Sequence, residues 1–311
     1  MYRYTLAIAL MTLAACDDSE NPLAPAGDTS DETQLLQNGP LLGKIAFSMR
    51  GVGNQTDIYV MNADGTGQTR LTTAPENEFS PAWSQDNKQI AFVRPRTDGA
   101  NVVHQDIFVM DANGSNGHWV SPTPNSVSLN DPSWSPDGSR IAVWTAGQDL
   151  AYLEVATGEL KPIASSLGQF KGFYPSYDPS GQKIVFGGGG TLFIIDANSF
   201  GLLSKIVLPP GLVNQHPSFS PDGQKIAFAG GVAHEPGADI YVVGANGTGL
   251  TRLASSPGTE SEPSWSPDGN QIAFGSDRSD VDQIYRTNIG GGRRARLGPK
   301  GILAVSPAYS H

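Results

Sequence analysis

Six polar side chains stand directly before prolines that recur every 42 to 51 residues along the chain. In chain order they are Ser80, Asp131, Tyr174, His216, Glu262 and Ser306. Two carboxylates, an imidazole and three hydroxyls can together bind a cation, a polar sugar or the polar groups of a peptide. If the fold gathers these residues in one place, they form an acidic binding site of mixed polarity.

The same residue types occur in enzymes, so the sequence was searched for catalytic motifs. Asp131, His216 and Glu262 would suit a metal-assisted carbohydrate lyase or hydrolase, because carboxylates and imidazoles ligate metals. However, only one of the five histidines stands before a repeat proline, and neither His-x-His nor His-Glu-x-x-His spacing occurs. A G-x-S-x-G nucleophile motif is also missing. We therefore expect a non-catalytic protein without a cofactor or a metal, with two alternatives: the metal-assisted enzyme, and a channel that binds a cation or a small ligand.

A repeated segment carries the six positions. Two of its copies read HPSFSPDGQKIAF from His216 and EPSWSPDGNQIAF from Glu262. Proline, aspartate and glycine in the SPDG stretch have the chemistry of a tight hairpin turn, which would join a short strand to the apolar strand IAF. A third strand is clearest as DIYVM from Asp57 and DIFVM from Asp106. A period in the forties with four short strands is typical of a β-propeller.

The sixth copy of the repeat is split between the two ends of the chain. Its first half, SPAYSH, begins at Ser306, and its second half, GKIAF, begins at Gly43. We predict an all-β fold over residues 43–311: a six-bladed β-propeller of four-stranded antiparallel blades, closed by a composite N- and C-terminal blade. Such a blade would remove the exposed sheet edges that an open ring leaves.

These copies resemble the TolB-type propeller repeat, and the resemblance covers about Gly43 to His311. It implies the six-bladed fold. Because TolB-like propellers hold a peptidoglycan-associated lipoprotein, it also implies that the partner is an envelope protein or peptide, possibly another lipoprotein. The same type of repeat occurs in peptidases and in oligogalacturonate lyases, so the fold by itself does not decide the function.

In a propeller, the innermost strand of each blade lines the central channel. The residues before the six prolines should therefore surround one mouth of the channel, with Glu78 and Glu260 just above them. Loops of differing length between the second and third strands reach the same face, and such loops commonly carry binding residues. The predicted binding site comprises Glu78, Ser80, Asp131, Tyr174, His216, Glu260, Glu262 and Ser306. The alternative is a channel whose polar lining is only hydrated.

The first residues predict export and a lipid anchor. The stretch MYRYTLAIALMTLAAC has one basic residue, an apolar run too short to span a bilayer, and small residues before a cysteine. Its end resembles the bacterial lipobox, which implies a signal peptide over residues 1–15 and a lipid on Cys16. Residues 16–42 contain many acids and no aromatic side chain, which predicts a disordered tether. We expect a protein of the bacterial cell envelope that faces the periplasm, whichever membrane holds the anchor.

Charge and cysteine content narrow the partners further. The formal net charge is -10, so no basic excess attracts the phosphates of nucleic acid, and we exclude that partner. Cys16 is the single cysteine, which leaves no disulfide within the chain. We expect a monomer that contacts the membrane only through its N-terminal lipid.

Overall fold

The computed structural model describes residues 43–311, apart from 52, 122, 125, 148, 164–171, 233–236, 280, 293 and 299–300. The expected signal peptide, the Cys16 anchor and the tether lie outside the described residues, and they stay predictions. The described part of the chain contains no helix, and hence none long and apolar enough to cross a bilayer.

The described residues form 24 strands, numbered along the chain. The first three are β1 (Lys44–Arg50), β2 (Thr56–Asn62) and β3 (Thr69–Arg70). Blade 1 has β4 (Phe79–Trp83), β5 (Gln89–Thr97), β6 (Val103–Asp111) and β7 (His118–Trp119). Blade 2 has β8 (Leu129–Trp134), β9 (Arg140–Thr145), β10 (Leu150–Glu154) and β11 (Leu160–Pro162). Blade 3 has β12 (Phe173–Tyr177), β13 (Lys183–Gly188), β14 (Thr191–Asp196) and β15 (Leu202–Val207).

Two further blades and one closing strand complete the chain. Blade 4 has β16 (Leu212–Phe219), β17 (Lys225–Val232), β18 (Asp239–Gly244) and β19 (Thr251–Ala254). Blade 5 has β20 (Glu260–Trp265), β21 (Gln271–Ser276), β22 (Gln283–Asn288) and β23 (Arg294–Leu297). The last strand is β24 (Ala304–Tyr309), which pairs with β1 to give the sheet order β24-β1-β2-β3. All strand pairs are antiparallel, so the predicted six-bladed propeller with a composite blade is confirmed.

Hydrogen bonds within the composite blade and to blade 1 hold it in the ring. The backbone N–H of Lys44 donates to Ser310 Oγ at 2.8 Å, and the N–H of Ser310 donates to the Lys44 carbonyl at 2.8 Å. On the blade 1 side, Asn87 exchanges two hydrogen bonds with the backbone of His311, of 2.6 and 2.7 Å. The two chain ends therefore close the propeller together.

The core lies between the blades, as expected for sheets that pack face to face around a ring. The apolar second strand of each blade is buried, and five of the six carry a phenylalanine that is at most 1% exposed. The tryptophans of the innermost strands also join neighbouring blades by donating their indole N–H to a carbonyl of the preceding one: Trp83 to Ala308, Trp134 to Ala82 and Trp265 to Ser218, at 3.1 to 3.2 Å. These bonds satisfy a buried polar group that would otherwise be costly.

Each innermost strand contains a β-bulge at its x-Pro dipeptide. In blade 1, Phe79 pairs with Val93 and Ala82 with Ala91, so one extra residue is inserted in β4. The other five innermost strands show the same shift. Proline has no N–H to give to a sheet, so a bulge is one of the few places where it fits inside a strand. The residue before each proline has φ between 48° and 58°, a left-handed conformation that is uncommon for any residue but glycine. The bulge turns that side chain towards the channel.

The turns have the conformations that their sequences predict. The glycines of the four SPDG-type turns have φ between 68° and 71°, and Asn87 takes the same position in blade 1 with φ of 59°. Gly189 and Gly190, also with positive φ, form the short hairpin loop between β13 and β14. The glycine run at 187–190 is therefore a hairpin, as the sequence indicates.

Candidate functional site

The structure brings all six residues that precede the repeat prolines to one mouth of the channel. Together with their prolines and the serines that follow, they line a cavity of about 170 Å³. Each blade contributes one of the six side chains, and we call this group the channel ring: Ser80, Asp131, Tyr174, His216, Glu262 and Ser306. Their assembly follows from the repeated bulge. Their role in binding stays a prediction.

Asp131 is the most firmly held member of the channel ring. Its Oδ1 accepts a hydrogen bond from Ser80 Oγ at 2.8 Å, and its Oδ2 accepts one from the indole N–H of Trp144 at 2.5 Å. Trp144 also contacts the ring of Tyr174 edge to face, at 5.8 Å between centroids. Both oxygens of this carboxylate are thus fixed by donors from blades 1 and 2.

His216 lies at the centre of the charged side of the channel ring. Its Nε2 is 3.7 Å from Glu262 Oε1 and 4.0 Å from Asp131 Oδ1. Its imidazole packs on the ring of Tyr174, with 3.8 Å between the centroids. The side chains of His216, Asp131 and Glu262 are each about one-fifth exposed, so all three still face water in the channel. Burial, helped by the charges of Asp131 and Glu262, raises the pKa of the Tyr174 phenol.

Some polar groups of the channel ring have no partner in the described part of the protein. Glu262 Oε2 and His216 Nδ1 are shielded from solvent and make no hydrogen bond there. Ser306 is only 8% exposed and lines the cavity, and its hydroxyl has no hydrogen-bond partner among the described residues. Buried polar groups are normally paired, so the channel ring is not fully satisfied by its own contacts, and the Ser306 hydroxyl is available to a ligand that enters the mouth.

Glu78 and Glu260 do not belong to the channel ring. Both are fully buried and do not line its cavity, although the sequence placed them just above the six residues at the mouth. Arg94 lies 2.5 Å from Glu78 and Arg278 lies 2.6 Å from Glu260, in equivalent ion pairs of blades 1 and 5. Burial raises the pKa of both carboxyl groups, and the arginines partly oppose this shift.

Aromatic rings complete these two buried pairs. The guanidinium of Arg94 lies over Phe108 at 3.8 Å, and that of Arg278 lies over Tyr285 at 4.3 Å. Such contacts stabilise a desolvated cation. Glu78 also accepts a hydrogen bond from the hydroxyl of Thr72, at the end of the preceding blade. These contacts give both glutamates a structural role, and their predicted role in binding stays a prediction.

Trp144 is the supporting residue that sequence reasoning missed. It follows Ile-Ala-Val in β9, at a position where the other five repeats have Ser, Val, Gly, Ala and Gly. One large aromatic among small residues at an equivalent position was a usable signal. It was overlooked because the indole acts through Asp131 and not on the channel directly.

The metal-dependent alternative finds little support in the site. Among the described residues, no group of three or more His, Cys, Asp and Glu side chains is placed to hold a metal ion. His104 lies away from the channel ring in the β5–β6 hairpin, where its Nε2 is 3.1 Å from Asp98. His234, in the β17–β18 loop, lies outside the described residues.

The hairpin loops beside the mouth offer further contact surface. The β5–β6 hairpin is the longest of the described ones, and Val102 and Val103 near its tip are 48% and 63% exposed. Asp98 stabilises this tip by accepting hydrogen bonds from the backbone N–H groups of Ala100 and Val102. A structured loop with exposed apolar side chains is a suitable element for protein contact.

The opposite mouth of the channel is chemically different. Its cavity of about 270 Å³ is lined by turn prolines, the aromatic residues of the innermost strands, and the C-terminal His311. The aspartates of the neighbouring turns are occupied by local hydrogen bonds, as Asp222 Oδ1 is by Ser220 Oγ at 2.5 Å and by the Gln224 N–H at 3.0 Å. At the loop-rich mouth, by contrast, Glu262 Oε2 has no hydrogen-bond partner among the described residues.

Known proteins show the same architecture. Among curated proteins, the Tol-Pal system protein TolB of Zymomonas mobilis is 37% identical over 85 residues, which make up 27% of this chain and only 17% of that protein. Among solved structures, TolB from Acinetobacter baumannii has a TM-score of 0.72 at 19% identity, covering 88% of this chain and 67% of that one. Oligogalacturonate lyase in complex with manganese has a TM-score of 0.54 at 16% identity, covering 83% and 74%. At these identities the likeness to solved structures shows the fold alone.

The family match extends over most of the chain. The TolB beta propeller domain matches residues 39–187 and 204–311, which include strands from all six blades. The repeated x-Pro bulge, the SPDG turns and the composite closing blade all lie within the matched residues. The chain therefore belongs to the TolB beta propeller family.

Proposed function

We propose that this protein is a non-catalytic scaffold of the bacterial cell envelope that binds a protein or peptide across its loop-rich face and channel mouth. The observation that carries the proposal is the channel ring, where six blades contribute polar side chains to one cavity and leave buried acceptors unpaired. The curated relative is named for the Tol-Pal system, which supports an envelope role. The aligned part is only 17% of that relative, so it does not identify the partner of this protein.

The size of the cavity favours a large partner over a small ligand. Pockets that enclose a small molecule commonly have volumes of about 300 to 1,000 Å³. The channel ring encloses about 170 Å³, which suits one side chain of a partner whose remaining surface contacts the surrounding loops. The exposed valines of the β5–β6 hairpin would provide such a contact.

Capture experiments with paired variants test the proposal. The full-length protein would be used as bait in detergent-solubilised envelope, beside Glu262→Lys at the channel ring and Asp222→Lys at the opposite mouth. We expect a partner that binds the wild type and Asp222→Lys but is lost from Glu262→Lys, while all three proteins unfold at similar temperatures. A partner that survives Glu262→Lys and is lost from Asp222→Lys would show that the turn face is the binding face.

The lipid anchor forms a separate part of the proposal. We propose that Cys16 carries a lipid and that residues 16–42 tether the propeller to the membrane, with its channel facing the periplasm. Cys16→Ser should move the protein from the membrane fraction to the soluble fraction, or leave the signal peptide uncleaved. Unchanged membrane fractionation with normal processing would refute lipid anchoring.

A metal-assisted lyase or hydrolase centred on Asp131, His216 and Glu262 is the second candidate. One observation favours it: His216 Nε2 lies within 4.0 Å of both carboxylates, in a fold shared with a manganese-bound oligogalacturonate lyase. Metal analysis of the protein purified without chelators separates the two candidates. About one divalent ion per chain would favour the enzyme, and no ion would favour the scaffold.

A further inference from the structure

We propose that the channel ring binds one cationic side chain of the partner, a lysine ammonium or an arginine guanidinium. This inference rests on the proposed function, since it specifies which group of the partner enters the mouth.

The carboxylates of the channel ring have no arginine partner, unlike the other carboxylates near the same face. Near the loop-rich face, buried or half-buried carboxylates have arginine partners within 3.6 Å. These pairs are Asp57 with Arg70, Glu78 with Arg94, Asp106 with Arg96, Asp239 with Arg252 and Glu260 with Arg278. Neither Asp131 nor Glu262 has a lysine or arginine within salt-bridge distance among the described residues. Their negative charge is therefore left for a group from outside.

The channel ring also presents acceptors to its cavity. Asp131 is held rigidly by Ser80 and Trp144, so its charge has a fixed position. Glu262 lines the cavity, and the Ser306 hydroxyl has no partner among the described residues although the residue is more than nine-tenths buried. An ammonium or guanidinium group carries several N–H donors and no acceptor, so it would bind these acceptors without leaving new groups unpaired.

One side of the mouth is aromatic. Tyr174 packs on His216 and is itself supported by Trp144. Cations are attracted to the faces of aromatic rings, so this side of the mouth also favours a positively charged group. The cavity of about 170 Å³ admits a side chain and excludes a folded domain.

His216 lies beside the expected position of the cation. Its Nε2 lies 3.7 Å from Glu262 Oε1 and 4.0 Å from Asp131 Oδ1, and its imidazole packs on Tyr174. The ring resonances of His216 should therefore report on a group that enters the mouth.

A side-chain analogue tests the inference without knowledge of the partner. Nα-acetyl-lysine amide is titrated into the full-length protein, labelled with ¹³C at its histidines, and Nα-acetyl-norleucine amide serves as the neutral control. Binding is quantified by saturation transfer to the probe, and located by the histidine resonances, which His216→Phe assigns. We expect the lysine analogue to bind and to shift only the His216 resonances, and the norleucine analogue to have no effect.

A charge-neutral variant tests the role of the carboxylate. Glu262→Gln should weaken binding of the lysine analogue at least about tenfold, as expected for loss of a charged partner.

Three results would overturn the inference. They are equal binding of the norleucine analogue, a shift at a histidine other than His216, and binding of calcium chloride without binding of the lysine analogue. These failures are distinct from failure of the scaffold proposal: partner capture that depends on Glu262 while the analogue does not bind would leave the scaffold standing and refute only the cationic side chain.

Discussion

Two carboxylates that are close together in the sequence have opposite surroundings in the propeller. Glu260 and Glu262 lie two residues apart in β20, yet the first is fully buried against Arg278 and the second faces the channel beside His216. Glu78 in blade 1 repeats the buried arrangement, and Asp131 in blade 2 repeats the channel-facing one.

The difference arises from the bulge at the x-Pro dipeptide. In a regular strand, residues two apart point to the same side. The positive φ of Glu262, 53°, interrupts that alternation and turns its side chain away from the side that Glu260 faces. The inserted residue thus places Glu260 in the protein interior and Glu262 at the channel, although the two are only two residues apart in the sequence.

The largest effect is expected from opening the propeller, since both groups of carboxylates depend on a closed ring. Deleting Leu303 to His311 removes β24, exposes the buried β1 residues Ile45 and Phe47, and takes away the carbonyl of Ala308 that accepts from Trp83. We expect the loss of more than about 5 kcal/mol of unfolding free energy, or of cooperative unfolding altogether. Urea titration followed by fluorescence measures it. An unchanged midpoint would refute the role of the composite blade in closure.

The second prediction separates the two glutamates of β20. Glu260→Ala leaves the guanidinium of Arg278 buried without its counter-charge, and such changes cost about 3 to 5 kcal/mol. Glu262→Ala removes a partly hydrated side chain with no arginine partner, and should cost less than about 1 kcal/mol. Both are measured by urea unfolding at pH 7. Similar losses in the two variants would contradict the distinction between the buried and channel-facing carboxylates.

The third prediction concerns how Glu260 links stability to pH. Burial raises the pKa of this carboxyl in the folded protein, so the folded state holds its proton to a higher pH than the unfolded chain does. Stability should therefore be fully retained below the ordinary pKa and should fall as the pH rises through the raised value. In Glu260→Gln this fall should be absent. The difference in unfolding free energy between the two proteins, measured from pH 4 to 7, gives the sign directly.

The smallest effect is expected at a turn aspartate, and it has the opposite sign. The hydroxyl of Ser220 and the N–H of Gln224 hold the pKa of Asp222 below its ordinary range. Asp222→Asn should cost about 1 kcal/mol at pH 7, the typical net value of a hydrogen bond. That cost should disappear as the pH falls through the lowered pKa, because the wild type then loses the same interaction. A cost that grows in acid would contradict this assignment.

Much of the fold was predictable because its signals are local. The SPDG turns depend on the conformational preferences of four consecutive residues, and Asn87 and Gly181 follow the rule even where the tetrapeptide varies. The period of the repeat and the split sixth copy were sufficient to predict six blades and their closure. Since each blade contributes one residue before its proline, the assembly of the channel ring followed from the same repeat.

What only the tertiary structure decided is the partner of each charged side chain. Glu260 and Arg278 are 18 residues apart, and the start of β20 and the β21–β22 loop, which carry them, meet only when the sheet is formed. The contact of Trp144 with Asp131, and that of His216 with Asp131 across the channel, likewise depend on bulges and on the closed ring. Residue types and repeat positions follow from the sequence, because they reflect short-range backbone chemistry. Burial and charge pairing do not, because they are set by elements that lie far apart along the chain and meet only in the folded propeller.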